Sequence, residues 1–150
     1  MITTEQIKEL RDSTGVSIGE CKKALEESGG DMAKALEVLR ARAVVTAGKK
    51  ADRTLGAGTV AAYVHSNKQV GAVVVLSCET DFVSKNEEFA ALAYDIAMHI
   101  SAMRPQSKEE LLAQAFIKDP SKTIADLLSG AVQKFGERTD LTDFGCFSVA

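Results

Sequence analysis

Tryptophan is absent from this chain of 150 residues, and aromatic residues make up only 5% of it. A core built here must therefore draw on Leu, Ile, Val and Ala. Neither sign of charge dominates: 18 Lys and Arg stand against 21 Asp and Glu, a net of −3, which argues against a dedicated nucleic-acid binder. No apolar run approaches the roughly 20 residues that span a bilayer. The N-terminus, Met1-Ile2-Thr3-Thr4-Glu5, has neither the basic start nor the apolar stretch of a secretion signal, so the cytoplasm is the expected location. Cys21, Cys78 and Cys146 lie too far apart for a C-x-x-C pair, and an odd count completes no disulfide framework. They read as buried, reduced hydrophobes. The signatures of phosphate loops, dinucleotide folds and zinc proteases are also missing. Acidic pairs such as Glu26-Glu27 and Glu109-Glu110 fall on solvated helix faces. No enzymatic activity, cofactor or bound metal is expected; the chain reads as a binder that acts on a partner.

What is present is an ordinary globular composition, 45% hydrophobic and 26% charged. Its first 47 residues read as three short helices. Thr3-x-x-Gln6 and Ser17-x-x-Glu20 have the form of capping boxes, in which two side chains satisfy free backbone donors at a helix start. Asp31 opens a third helix. Ile7 and Leu10, then Cys21, Ala24 and Leu25, then Ala35, Leu36 and Leu39 repeat at helical spacing. This bundle has a thin core and should lean on a neighbour. Residues 48–58 are polar and glycine-bearing, as in a linker. Arg40, Arg42, Lys49, Lys50 and Arg53 make the region basic, but no aromatic residues are interleaved for base stacking.

Residues 59–150 mix strands and helices. Val60, Ala62 and Val64 alternate with Tyr63 and His65, and Ser66-Asn67-Lys68 offers a hairpin turn. Val70–Cys78 is apolar on both faces, which predicts a central strand antiparallel to the first. Ser84-x-x-Glu87 reads as a third capping box. It precedes a long helix carrying Phe89, Leu92, Ala93, Ile96, Ile100 and Met103 and ending at Pro105. His99 falls beside that apolar stripe, as a packed histidine would. A short helix over 107–115, a turn at Lys118-Asp119-Pro120, a helix opened by Ser121 and closed at Gly136, and a strand from Leu141 to Val149 complete the pattern. The fold class is α+β: a three-helix bundle, then a small antiparallel sheet covered by helices in the order β-β-α-α-α-β.

Asp81-Phe82 stands where the central strand leaves the sheet. A large ring beside a carboxylate on a tight connection suits a probe pushed into another protein. The bland alternative is a capped turn with its ring tucked back onto the core.

Several segments, in order, resemble the elongation factor Ts family. These are Leu10-Arg11-x-x-Thr14-Gly15, Cys21-Lys22-Lys23-Ala24-Leu25, Gly30-Asp31-x-x-Lys34-Ala35, Lys49-Lys50-Ala51-Asp52-Arg53, Cys78-Glu79-Thr80-Asp81-Phe82-Val83, Ala97-Met98-His99-Ile100 and Lys134-Phe135-Gly136-Glu137. The resemblance implies a guanine nucleotide exchange factor that binds elongation factor Tu and promotes GDP release. It implies that Thr80, Asp81, Phe82 and Val83 form the loop that dislodges the partner's Mg²⁺. It further implies that Arg11 and Ile18 touch the partner's GTPase domain and that Phe135 and Gly136 lie near the nucleotide side of the interface. The bundle also resembles ubiquitin-associated-type domains, so the rival reading is a reduced paralogue that binds another partner through it. A nucleophilic Cys78 is a third and remoter reading.

Departures from the family pattern are specific. Ile18-Gly19 stands where Met-Met is common, and Arg138-Thr139 where Asn-Ile is. Ser107–Lys118 replaces a helical hairpin and a second core subdomain. A sheet without its duplicate invites homodimerisation through the last strand, with Cys146 near the interface.

Overall fold

The computed structural model describes residues 1–150. Helices α1 (Thr4–Thr14), α2 (Ile18–Glu27) and α3 (Met32–Lys49) form the N-terminal bundle. Thr3 caps α1 with a reciprocal box through Gln6, and Gly15, at φ 73°, closes it in the left-handed conformation that glycine adopts freely. Ser17 caps α2 through the Glu20 N–H, but the Glu20 carboxylate turns to Arg42 instead of completing the box. Leu10, Val16, Cys21, Ala24, Leu25, Ala35 and Leu39 form a small separate core. Leu36 lies outside it, 40% exposed.

The helix α3 runs two residues into the stretch that reads as a linker. It packs along α7 (Ile124–Phe135), and the Arg40–Asp126 ion pair joins the two. Lys50 Nζ then donates to the Gly136 carbonyl at 2.6 Å. The thin bundle leans on its neighbour along this seam. Four of the five basic side chains of this region are engaged within the chain: Arg40 and Lys50 across the seam, Arg42 with Glu20 and Glu27, and Arg53 with Glu79.

Strands β1 (Ala57–Val64), β2 (Val70–Cys78) and β5 (Asp140–Ser148) make an antiparallel sheet in the order β1-β2-β5. The inner face presents Ala61, Tyr63, Ala72, Val74, Leu76, Leu141, Phe144 and Cys146 to α5 (Glu87–Met103) and its neighbours, around the fully buried Phe89, Ile96 and Ile100. The outer face carries Val60 and Val64, each 67% exposed, Val73 and Phe147. The alternation in β1 is as read, and the valine face is the one turned to solvent.

Between α5 and α7 the chain departs from the expected order. After α6 (Lys108–Ala113), residues Ala115–Phe116 and Asp119–Thr123 pair as a hairpin, β3 and β4. The Asp119 carboxylate accepts from the N–H and hydroxyl of Ser121, so Ser121 belongs to the hairpin. Thr123 opens α7 with a full box through Asp126. Ser84 likewise does not cap α5: it ends the four-residue helix α4 (Asp81–Ser84), and Asn86 caps α5 through the Glu88 N–H. The α+β class holds, with this extra turn and hairpin added.

Candidate partner-binding site

The connection from β2 to α5 is built on an inward anchor. Val83 is 5% exposed and belongs to the main core. It is the buried residue of one helical turn, α4. On that turn residues one and two places earlier must face away, because helical neighbours at those spacings do not share a side. Asp81 is exposed, and Phe82 is 89% exposed, the most accessible aromatic ring of the chain. The alternative in which the ring tucks back is therefore not what the chain adopts. Exposing a ring forgoes about 1.5–3 kcal/mol of burial, and no folding need explains that.

Thr80 is the N-cap of α4, yet its hydroxyl makes no capping bond. It donates to Glu137 Oε2 at 2.6 Å, while the N–H groups of Glu79 and Thr80 donate to Glu137 Oε1 at 3.1 and 3.0 Å. In return the Arg138 N–H donates to Glu79 Oε2 at 2.6 Å, and Arg138 Nη1 donates to the Arg53 carbonyl. Two segments nearly 60 residues apart thus exchange carboxylates for backbone donors. In the sequence Glu137 stands out only as the end of the Lys134-Phe135-Gly136-Glu137 segment. No local pattern marks it, since both its partners come from the far end of β2.

The other expected contact residues fall into two kinds. Arg11 and Ile18 are exposed on either side of the turn between α1 and α2. Val83 and Phe135 instead face the molecule's own interior. Phe135 is half-buried and packs edge-to-face on Phe89, with ring centroids 5.8 Å apart. Val83 is spent on the core, while Phe135 is partly buried there and also lines the groove described below. Gly136, at φ 74°, caps α7 and is exposed. These places are linked. The Lys134 side chain lies within 3.0 Å of where a Cβ on Gly15 would stand, and it pairs with Glu88 at the start of α5. The turn between α1 and α2, the end of α7 and the Phe82 loop therefore follow one another along a continuous run of contacts. A groove of about 380 Å³, with Leu36, Leu39, Leu127 and Ala131 among its walls, lies behind it.

The remaining titratable candidates are structural. Burial pushes the Cys78 thiol up, and the nearby Glu137 carboxylate acts in the same direction. Its Sγ donates to the Thr80 carbonyl, so it stays a protonated thiol and is ill suited to attack anything. His99 is fully buried, with Nε2 2.9 Å from Gln114 Oε1 and Nδ1 accepting from the Ile117 N–H. Cys146 points inward, toward the Ile100 carbonyl, and so lies off the exposed outer face of the sheet.

The sequence also has known relatives. The family described as Elongation factor TS matches residues 3–110 and 79–150. An elongation factor Ts from Thermosipho melanesiensis is 45% identical, with 94% of this chain and 80% of the relative aligned. One from Thermodesulfovibrio yellowstonii is 40% identical over 99% of this chain and 96% of the relative. One from Leptospira biflexa is 38% identical over 99% and 98%. The last two alignments run to 192 and 193 positions, longer than the chain itself, so those relatives carry residues with no counterpart here. By sequence and by the placement of its motifs, the chain belongs to the elongation factor Ts family.

Proposed function

We propose that this chain is a guanine nucleotide exchange factor without catalytic chemistry of its own, which binds elongation factor Tu in the cytoplasm and promotes GDP release. The observation that carries the reading is Phe82, 89% exposed on a turn whose next residue is locked in the core. A nucleotide's phosphates are held largely by backbone amides and a metal ion. A ring driven among the side chains beside such a site, with Asp81 holding the displaced element, raises the energy of the GDP-bound state and frees its Mg²⁺. By linkage, GDP must weaken the factor as much as the factor weakens GDP, so returning nucleotide expels it. A ten-thousandfold acceleration needs about 5.5 kcal/mol of differential binding, more than the 1.5–3 kcal/mol or so of one buried ring. Arg11 and Ile18 supply further contact from the bundle.

The test is release of labelled GDP from purified elongation factor Tu, with this chain, Phe82→Ala and Asp81→Ala compared. Stimulation by the wild type and its clear loss in Phe82→Ala are expected. A wild type that leaves release unchanged would sink the proposal.

A second reading concerns assembly. The outer sheet face, with Val60, Val64, Val73 and Phe147, is covered by nothing in the chain. Contiguous exposed apolar surface of this kind marks an interaction site, and an uncovered sheet face fits a second copy of itself. A dimer formed through that face would leave Cys146 out of the contact, since its Sγ lies toward the Ile100 carbonyl. Sedimentation at micromolar concentration should return a dimeric mass; a monomeric mass would count against it.

A further inference from the structure

We propose that Glu137 is the positioning residue of the exchange loop: its carboxylate holds the backbone ahead of α4 so that Phe82 projects at a fixed place. The inference rests on the exchange reading above and concerns how the ring is presented.

A four-residue helix cannot support itself, because nucleating one turn costs more than its few bonds return. α4 also lacks the usual aid, since the Thr80 hydroxyl makes no cap. Glu137 provides the missing constraint. One carboxylate accepts from three donors, the N–H groups of Glu79 and Thr80 and the Thr80 hydroxyl, at 3.1, 3.0 and 2.6 Å. Bonds to an ionised acceptor are shorter and stronger than neutral ones. Glu137 is itself fixed. It follows Gly136, whose N–H donates to the Val132 carbonyl and whose own carbonyl accepts from Lys50. The Arg138 N–H, bonded to Glu79, closes the lock from the other direction. Val83 holds the loop from beneath, and Glu137 holds it from the N-terminal side. The ring between them has no packing of its own to define its direction.

Without Glu137 the loop samples orientations in which the ring misses its target. The factor's maximal effect then falls by the fraction of molecules in the productive arrangement. Contacts made by the bundle do not depend on that arrangement, so affinity changes less than rate.

The experiment measures GDP release from purified elongation factor Tu with Glu137→Ala, Glu137→Gln, Thr80→Val, Phe82→Ala and the double variant Phe82→Ala/Glu137→Ala. It is paired with amide hydrogen exchange at Glu79 and Thr80 in the free chain. Glu137→Ala should lower the maximal release rate about tenfold and move the half-saturating concentration less than about twofold. The double variant should be no slower than Phe82→Ala alone. The two amides should exchange about tenfold faster in Glu137→Ala. Glu137→Gln, which keeps a carbonyl oxygen for both N–H groups, should restore most of each effect. Thr80→Val removes only the hydroxyl contact and should cost about threefold; it decides the matter if Glu137→Ala does not fold. Unchanged amide protection, or losses that add in the double variant, would overturn the proposal. A wild type that releases no GDP would overturn the exchange reading instead, and the amide protection would still judge the clamp.

Discussion

The tripeptide Thr-Asp-Phe occurs twice in this chain, at 80–82 and at 142–144, with opposite outcomes. In the first, Phe82 stands in solvent on a helical turn. In the second, Phe144 lies in β5 opposite Val74 and packs against the main core. The hydroxyls diverge as well. Thr80 reaches across to Glu137, whereas Thr142 pairs with Ser77 at 2.8 Å beside a bulge in the ladder. Identical letters acquire different roles because the backbone period differs. A strand sends alternate residues inward, while the turn at 81–84 spends its single inward position on Val83. The function of the motif thus lies in its neighbours.

Three experiments bear on this contrast, and a fourth on the helix behind the sheet. The largest expected effect is on activity. Phe82→Ala should slow stimulated GDP release about thirtyfold, the equivalent of roughly 2 kcal/mol, while the thermal midpoint stays within about 1 °C, as surface substitutions usually do. A large drop in that midpoint would mean that the exposed ring supports the fold and the contrast is wrong. Phe144→Ala should do the reverse. It should lower unfolding free energy by about 1.5 kcal/mol in a urea titration, below the full cost for a ring that is only half-buried, and leave the stimulated rate of the folded fraction unchanged. Next, Thr142→Val removes one partner of the Ser77 hydroxyl and should cost about 1 kcal/mol, with no effect on release. Equal effects of Thr142→Val and Thr80→Val on release would erase the distinction between the two segments.

The smallest effect concerns pH and the helix that covers the inner sheet face. Burial pushes the His99 imidazole below its ordinary range, and its bond to Gln114 opposes this. The folded chain therefore takes up this proton less readily than the unfolded chain does. The stability that follows is complete above about pH 6.5 and declines as acid is added below it. Protonation would also deny the Ile117 N–H its acceptor. The thermal midpoint should drop between pH 7.5 and pH 5.5, and His99→Leu should flatten that slope; an unaltered slope would show that other groups cause it.

Much of the fold was legible because it is written in local chemistry. The box at Thr3, the glycine stop at Gly15, the doubly apolar β2 and the stripe of α5 each signal their structure within a few residues. The misses have a common origin in tertiary demands on short segments. Strand β3 has two residues, too few for any period, and Pro120 reads as a turn although an edge position in a two-stranded ribbon tolerates it. Ser84 has the form of a cap, but burial of Val83 pulls it into a preceding turn. Leu36 carries the period of the bundle core yet faces the groove toward α7. For the site, the exposed pair Asp81-Phe82 could be read as a probe. Its support could not, because Glu137 and the loop meet only once the sheet has formed.

The unbroken run of α3 from Met32 to Lys49, tied to α7 by Arg40 and Asp126, has one more result. On the proposed exchange reading, it presents the bundle and the sheet unit to the partner as one joined ligand. Once either end lands, the other is already within reach, and orientational freedom is surrendered a single time. Inserting flexible residues after Lys50 would leave every contacting side chain intact and still weaken association, since the second grip would then have to be found by search.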